Sequence, residues 1–339
     1  MKMFLPKDAL NEATVYYVNL IERSMDFAEI QNVQVSSPNQ INNGDHVFTI
    51  RAGDLRSLYM SKRNLKFANW YQGVGPEEYM LLHPASMRSQ IIKIILKLQE
   101  QLALSKSSFN LMISEEMLLH FSKNYRINSD SLAGIVPCYN KMLNSSAFEY
   151  EKKYLTPQFV YAGGLFAWQS IERTLSIYKM IEDDLPDASL TILTKDVGTA
   201  RSLLKQYGIV RGIVKFVELA KLEEELKRYK YGFLIREDSV VNRVSTPTKM
   251  NTYLSCGIMP IYTNVIASFE DHINISPYCV KLDSRELNNA IAQKVIEHNR
   301  FNIDLSSIKH EYKKLFDVYY SDDLYIRKIA KLMKQSGLK

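Results

Sequence analysis

The sequence predicts an α/β protein of two domains, each a parallel sheet flanked by helices. Length carries part of this: 339 residues is about twice a typical domain. Alternation carries the rest. Short apolar runs are separated by helix-like segments, most plainly in the second half, and strands alternating with helices imply right-handed crossovers and parallel pairing. A weakly periodic stretch, 140–157, containing Asn144-Ser145-Ser146, is read as the linker between the halves. The expected domains are therefore 1–150 and 151–320, with a final helical segment 321–339 packing at their junction.

Taken in order, the first half offers strands at Met3–Leu5, Val33–Val35, His46–Ile50, Lys66–Trp70, Phe109–Ile113 and Ile135-Val136. Helices are expected near Ala13–Ser24, over Ala85–Leu104 and after Ser114, which is placed to cap a helix beginning Glu115-Glu116. The second half offers strands at Phe159–Ala162, Leu190–Leu193, Val214–Val217, Gly232–Ile235, Met259–Tyr262 and Tyr278–Leu282. Helices over Gln169–Glu182, Thr199–Gln206, Leu219–Tyr229 and Thr248–Ser255 separate most of them, and the tail from Arg285 reads as helical.

Composition narrows the function classes. Hydrophobic residues are 46% and charged residues 24%, which excludes disordered, collagen-like and disulfide-scaffold chains. No apolar run reaches the roughly 18 residues of a membrane span, and the start, MKMFLPKDALNE, lacks a signal-peptide core. Cys138, Cys256 and Cys279 lie far apart and read as reduced cytosolic thiols. The formal charge is +6, from 43 basic and 37 acidic residues. That mild excess, with no RRM aromatics, zinc finger or basic recognition helix, argues against nucleic acid and leaves a small anion or a membrane surface as partners.

Ligands of open parallel sheets gather at the carboxyl ends of strands, and two α/β halves make a cleft between them the expected site. Three loops qualify. In Gln72–Glu78, Gly73 and Gly75 would allow close backbone approach to a ligand and Glu77 and Glu78 add carboxylates, although a tight turn with one acid capping a helix explains the same residues. It is no dinucleotide fingerprint, because Glu78 takes the place of the third glycine. In the second loop, Gly163 and Gly164 would present backbone N–H groups to a phosphate, or else allow close helix packing; Trp168 would stack on a ring or fill core. In the third, Pro247 is expected at the first helical position with Thr246 as cap, and Gly257 closes the helix. Arg236, Arg243 and Lys249 would add positive charge around that helix start, which together describes a diphosphate pocket.

Thr246-Pro247-Thr248-Lys249 followed by Tyr253-Leu254-Ser255-Cys256-Gly257 resembles the donor-binding loop of the GT-B glycosyltransferases, specifically the large retaining family that builds bacterial surface polysaccharides. Phe159–Gly163 is similar to that family's opening strand of the nucleotide-binding domain, and Trp70–Gly73 suits its acceptor-side loop. The resemblance implies two Rossmann-like domains facing across a cleft. It implies a nucleotide-sugar donor, a glycan or lipid-linked acceptor, retention at the anomeric carbon and neither metal nor cofactor. Arg236 and Lys249 would stabilise the leaving diphosphate, with Asn242, Arg243, Thr248 and Thr252 among the donor contacts, and domain closure would exclude water. The chain departs from the family at three places. Thr252 stands where a ribose-binding glutamate is common, with Glu237 as a candidate substitute, and Gly164 and Gln169 stand where cations for the diphosphate are common. A nucleotide-sugar-binding or scaffold protein that has lost catalysis therefore stands as the alternative.

No other chemistry emerges. His46, His83, His120, His272, His298 and His310 lack metal-ligand spacing, and there is no Walker loop, G-x-S-x-G, H-E-x-x-H or Asp-x-Asp. Two basic amphipathic stretches, Ile91–Leu104 and Leu324–Met333, leave a peripheral membrane contact open. Core packing is favoured for the first and packing across the domain junction for the second.

Overall fold

A computed structural model describes residues 1–338. The chain divides into two compact units: Met1–Asn140 with Val244–Thr246 and the segment from Ser321 onward, and Lys141–Arg243 with Pro247–Tyr320.

The first unit carries strands β1 (Lys2–Phe4), β2 (Val33–Val35), β3 (His46–Thr49), β4 (Lys66–Trp70), β5 (Ser107–Met112) and β6 (Leu132–Ile135). Its helices are α1 (Glu12–Phe27), α2 (Ala52–Ser61), α3 (Gly75–Leu82), α4 (Met87–Lys106) and α5 (Glu115–Asn124). The strands form one parallel sheet in the order β2-β1-β3-β4-β5-β6. The order reverses at β1 and β3, so the crevice beyond their carboxyl ends is where a ligand gathers. Ser114 caps α5 as expected, its hydroxyl accepting from the Met117 N–H at 3.0 Å.

The second unit carries β7 (Gln158–Ala162), β8 (Ser189–Leu193), β9 (Gly212–Lys215), β10 (Tyr231–Leu234), β11 (Met259–Thr263) and β12 (Val280–Leu282). Its helices are α6 (Ile171–Asp184), α7 (Val197–Gln206), α8 (Leu219–Leu226), α9 (Val240–Val244), α10 (Thr248–Ser255), α11 (Ala267–His272), α12 (Asn288–Asn299) and α13 (Leu305–Val318). The last helix, α14 (Asp322–Gln335), buries Tyr325, Ile326, Ile329, Ala330 and Met333 and packs on α1 and β6 of the first unit. The second sheet is again wholly parallel, in the order β9-β8-β7-β10-β11-β12. Counted from β7, that is 3-2-1-4-5-6, the order of dinucleotide-binding sheets, with its switch point between β7 and β10.

Those two strands are tied together by α10. All four residues of β10 are buried, and a Cβ on Gly232 would lie 2.5 Å from the Tyr253 ring. The glycine is what lets the helix approach this closely. Tyr253 then accepts the Ala162 N–H at 3.0 Å and donates to the Phe233 carbonyl at 3.3 Å, fixing α10 against both strand ends.

Two expectations are corrected here. The stretch 140–157, expected as the interdomain linker, belongs from Lys141 to the second unit, where Ser145–Glu149 and Glu151–Tyr154 form 3₁₀ turns. Ala147, Phe148, Lys153 and Tyr154 are buried, and Lys153 Nζ donates to the Ala147 and Cys256 carbonyls at 3.0 and 2.8 Å. Polar side chains that bond backbone carbonyls left open at the end of α10 leave no apolar period to read. Helix α4 is the other case. It buries Ser89, Glu100, Ala103 and Leu104, whereas Ile91, Ile94, Ile95 and Leu98 face solvent, so most of its aliphatics are not core.

Candidate functional site

The carboxyl ends of β7 and β10 bring together Gly163, Gly164, Trp168, Arg236, Asn242 and Lys249. Lys249 sits in the first turn of α10. Its ammonium donates to Gln169 Oε1 at 2.9 Å and lies 3.9 Å from the centroid of the Tyr161 ring. Tyr161 in turn donates to the Gly164 carbonyl and to Gln169 Oε1, so Gln169 is held from two sides. Gly163 has φ +137°, and a Cβ there would meet Lys249 Cε and Nζ at 3.3 Å. The glycine leaves the lysine its place.

Arg236 leaves β10 buried. Its Nη1 donates to the Trp168 carbonyl at 2.7 Å, and its Nε has no hydrogen-bond partner. Asn242, also buried, donates to the Trp168 and Glu237 carbonyls, so one arginine and one amide clamp the turn that carries Trp168. The indole stacks on Phe166, ring centroids 4.9 Å apart.

The electrostatics are unusual. Among the described residues no carboxylate pairs with Arg236 or Lys249. Burial pulls the Arg236 guanidinium down to about 10. Burial first, and the neighbouring Arg236 charge second, hold the Lys249 ammonium well below its ordinary range. Two desolvated cations without a counter-charge are costly unless an anion occupies the space between the groups they face.

Several expected contacts fall differently. Pro247, with ψ 127°, is itself the cap of α10, and Thr248 is the first helical residue; Thr246 is buried with its hydroxyl accepting the Cys138 N–H at 2.8 Å. Gly163 does not offer its N–H, which donates to the Leu193 carbonyl at 2.9 Å. Arg243 is paired with Asp238, and Glu237 is exposed. The Thr252 hydroxyl donates to the Thr248 carbonyl within α10. Tyr161 and Gln169 were not among the expected site residues. The signal for Gln169 was its place where a cation is common; Tyr161 reads as any core aromatic of a strand.

The first unit has a cavity of about 640 Å³ beyond the carboxyl ends of β1, β3 and β4, lined by Asp8, Arg51, Asp54, Gln72, Gly73, Glu78, Gln99 and Glu100 among others. Arg51 is paired with Asp54 at 2.7 Å and with Asp8 at 3.2 Å. Gly75–Glu78 is helix rather than loop, so Glu77 and Glu78 lie in the first turn of α3, and Glu78 Oε1 accepts the Val74 N–H at 3.3 Å. Gly73 serves this carboxylate, since a Cβ would lie 1.9 Å from Glu78 Oε1. Gln72 donates to the Ile50 carbonyl at 3.1 Å, and Glu77 lies 4.0 Å from His120.

Glu100, which the sequence did not single out, accepts the Gly75 N–H at 2.8 Å and the Tyr125 hydroxyl. Burial raises it to about 7, opposed by those two hydrogen bonds, and also raises Glu78. A carboxyl raised on folding stabilises the native state below its unfolded value, and that contribution is lost as pH rises through its folded value. Stability should therefore fall between about pH 4.5 and 7 in the wild type, and less steeply in Glu100→Gln, by urea unfolding across that range. Equal slopes would show that Glu100 is not the titrating group.

Among the described residues no group of three or more metal-ligating side chains is found, and no helix is long and apolar enough to cross a membrane. No protein-family model and no curated protein matches the sequence. Solved structures do match. Sucrose-phosphate synthase from Thermosynechococcus elongatus aligns with a TM-score of 0.68 at 10% identity, over 99% of this chain and 98% of that one. A glycosyltransferase from Rickettsia africae gives 0.66 at 13%, over 99% and 97%. A variant of S. aureus TarM, in complex with fondaparinux, α-GlcNAc-glycerol and UDP, gives 0.64 at 10%, over 85% of this chain, which spans 55% of the TarM chain. Two six-stranded parallel sheets of these orders, similar over nearly their whole length to such glycosyltransferases, give this chain the GT-B fold.

Proposed function

We propose that the protein is a glycosyltransferase that binds a nucleotide-sugar on its second unit and transfers the sugar to a glycan or lipid-linked acceptor in surface polysaccharide assembly. The observation that carries this is a pair of cations without a carboxylate partner, buried Arg236 and half-buried Lys249, at the switch point of a 3-2-1-4-5-6 sheet. A diphosphate supplies the missing counter-charge, and the N-terminal N–H groups of α10 add a further favourable field. As the sugar–phosphate bond breaks, negative charge grows on the leaving diphosphate, where fixed cations in a desolvated site act most strongly. Fixed cations can do this without a metal, and retention at the anomeric carbon is proposed from the family resemblance alone. Asn242, through the Trp168 turn, positions the stacked indole beside the donor. Gly164, Arg243, Thr248, Thr252 and Glu237 are proposed to border it, with Thr246 and Pro247 shaping its edge.

For the acceptor we propose the cavity lined by Gln72, Gly73, Glu78 and Glu100, with Glu77 behind it. Carboxylates and amides are acceptors and donors suited to sugar hydroxyls. We place the protein in the cytoplasm, with any membrane contact peripheral.

A second reading, a nucleotide-sugar-binding protein without catalysis, is favoured by Thr252, Gly164 and Gln169 standing where the resembling family has an acid and two cations. Incubation with a panel of nucleotide-sugars, with and without glycan and lipid-linked acceptors, separates the two. Release of nucleoside diphosphate is expected. Donor binding without any release would establish the second reading, and no binding at all would remove both.

A further inference from the structure

The first two-thirds of α4 presents an apolar stripe to solvent. Met87, Ile91, Ile94, Ile95 and Leu98 are between 43% and 83% exposed. At 100° per residue they fall on one face of the helix, opposite Ser89, Glu100 and Ala103, which face the core. Leu81 and Leu82, at the end of α3, extend the same exposure. Single exposed aliphatics are ordinary on a soluble protein; five in register on one helix are not.

Charge identifies what covers them. From Met87 to Gln99 the helix has three cations, Arg88, Lys93 and Lys97, and no acid. Arg88 and Lys97 flank the stripe on opposite sides, so long basic side chains border an apolar centre. A second copy docking by two-fold symmetry would bring this cationic border against itself. An anionic lipid surface takes both features together, aliphatics at the acyl boundary and cations at the headgroups.

We propose that this face of α4 docks the protein on an anionic membrane surface, lying in the interface rather than spanning it. The inference gives the peripheral contact a defined surface and does not depend on sugar transfer. It also sets apart the other basic amphipathic stretch, in α14, where Tyr325, Ile326, Ile329, Ala330 and Met333 are buried and the helix packs on α1 and β6.

Co-sedimentation with vesicles of phosphatidylcholine, with and without phosphatidylglycerol, tests it. The wild type should pellet only with phosphatidylglycerol present. Arg88→Gln with Lys97→Gln should weaken binding about fivefold per charge removed, and high salt should do the same. Ile94→Asp with Leu98→Asp should abolish binding. These side chains are exposed, so unchanged thermal unfolding and unchanged nucleotide binding are expected in both variants. Failure of the wild type to bind, or binding that survives the aspartates, would overturn the proposal. So would a wild-type dimer by light scattering that the aspartates dissociate, since the occupant would then be a second copy.

Discussion

Replacing Lys249 with Met should have two effects of opposite sign. The ligand-free protein should become slightly more stable, and nucleoside diphosphate binding should be lost. In the free protein the ammonium is largely desolvated, beside the Arg236 charge, with only Gln169 and the face of Tyr161 as partners. Exchanging a buried charge for an apolar group of similar shape can stabilise by about 1–4 kcal/mol; the low end applies here, because the ammonium keeps partial exposure and two partners. The bound state reverses the balance. Removing one member of a desolvated charge pair costs about 2–5 kcal/mol of affinity, a factor of roughly 30 or more. A lysine that only supported the fold would lower stability when removed. Thermal unfolding with and without ligand therefore distinguishes a binding lysine from a structural one.

Gly163→Ala should be the most damaging change that adds a single methyl group at this site. At φ +137° a side chain is strained whatever the space, at about 1–3 kcal/mol. The added Cβ would also press on Lys249 Cε and Nζ from 3.3 Å, displacing the ammonium from Gln169 and Tyr161. Loss of stability and of diphosphate affinity are both expected. Gly198→Ala is the comparison: its φ is not positive, nothing lies within 4 Å of the added atom, and it sits in the first turn of α7. A thermal midpoint and affinity near those of the wild type are expected there. If Gly163→Ala behaved the same way, the glycine would not be what makes room for the lysine.

How far the sequence could be read depended on the kind of signal. Strand β4 and helix α10 fall where residues 66–70 and 248–255 were expected, because an apolar run or a Pro247–Gly257 bracket marks them locally. Arg236 and Lys249 were legible for the same reason, being polar residues at the edges of buried elements. The cap of α10 was not. Proline most often takes the first helical position, yet here Pro247 stays extended and Thr246 is drawn to the Cys138 amide, 108 positions away. Glu100 was invisible because its partners, Gly75 and Tyr125, are each 25 positions distant. Helix α4 shows a further limit. Aliphatics at helical spacing show that an apolar face exists, and only the packing of Ser89, Glu100 and Ala103 shows that another face turns inward.

Donor binding as proposed requires an anion seated at Arg236 and Lys249. Titration calorimetry with a panel of nucleoside diphosphates, run in two buffers of different ionisation enthalpy, tests it most directly. Burial and the Arg236 charge lower Lys249 and a diphosphate favours its charged form, so binding should weaken roughly thirtyfold or more in Lys249→Met, and any proton exchanged through Lys249 on binding is taken up rather than released. Absence of binding by every nucleoside diphosphate, or binding that Lys249→Met leaves unchanged, would contradict it.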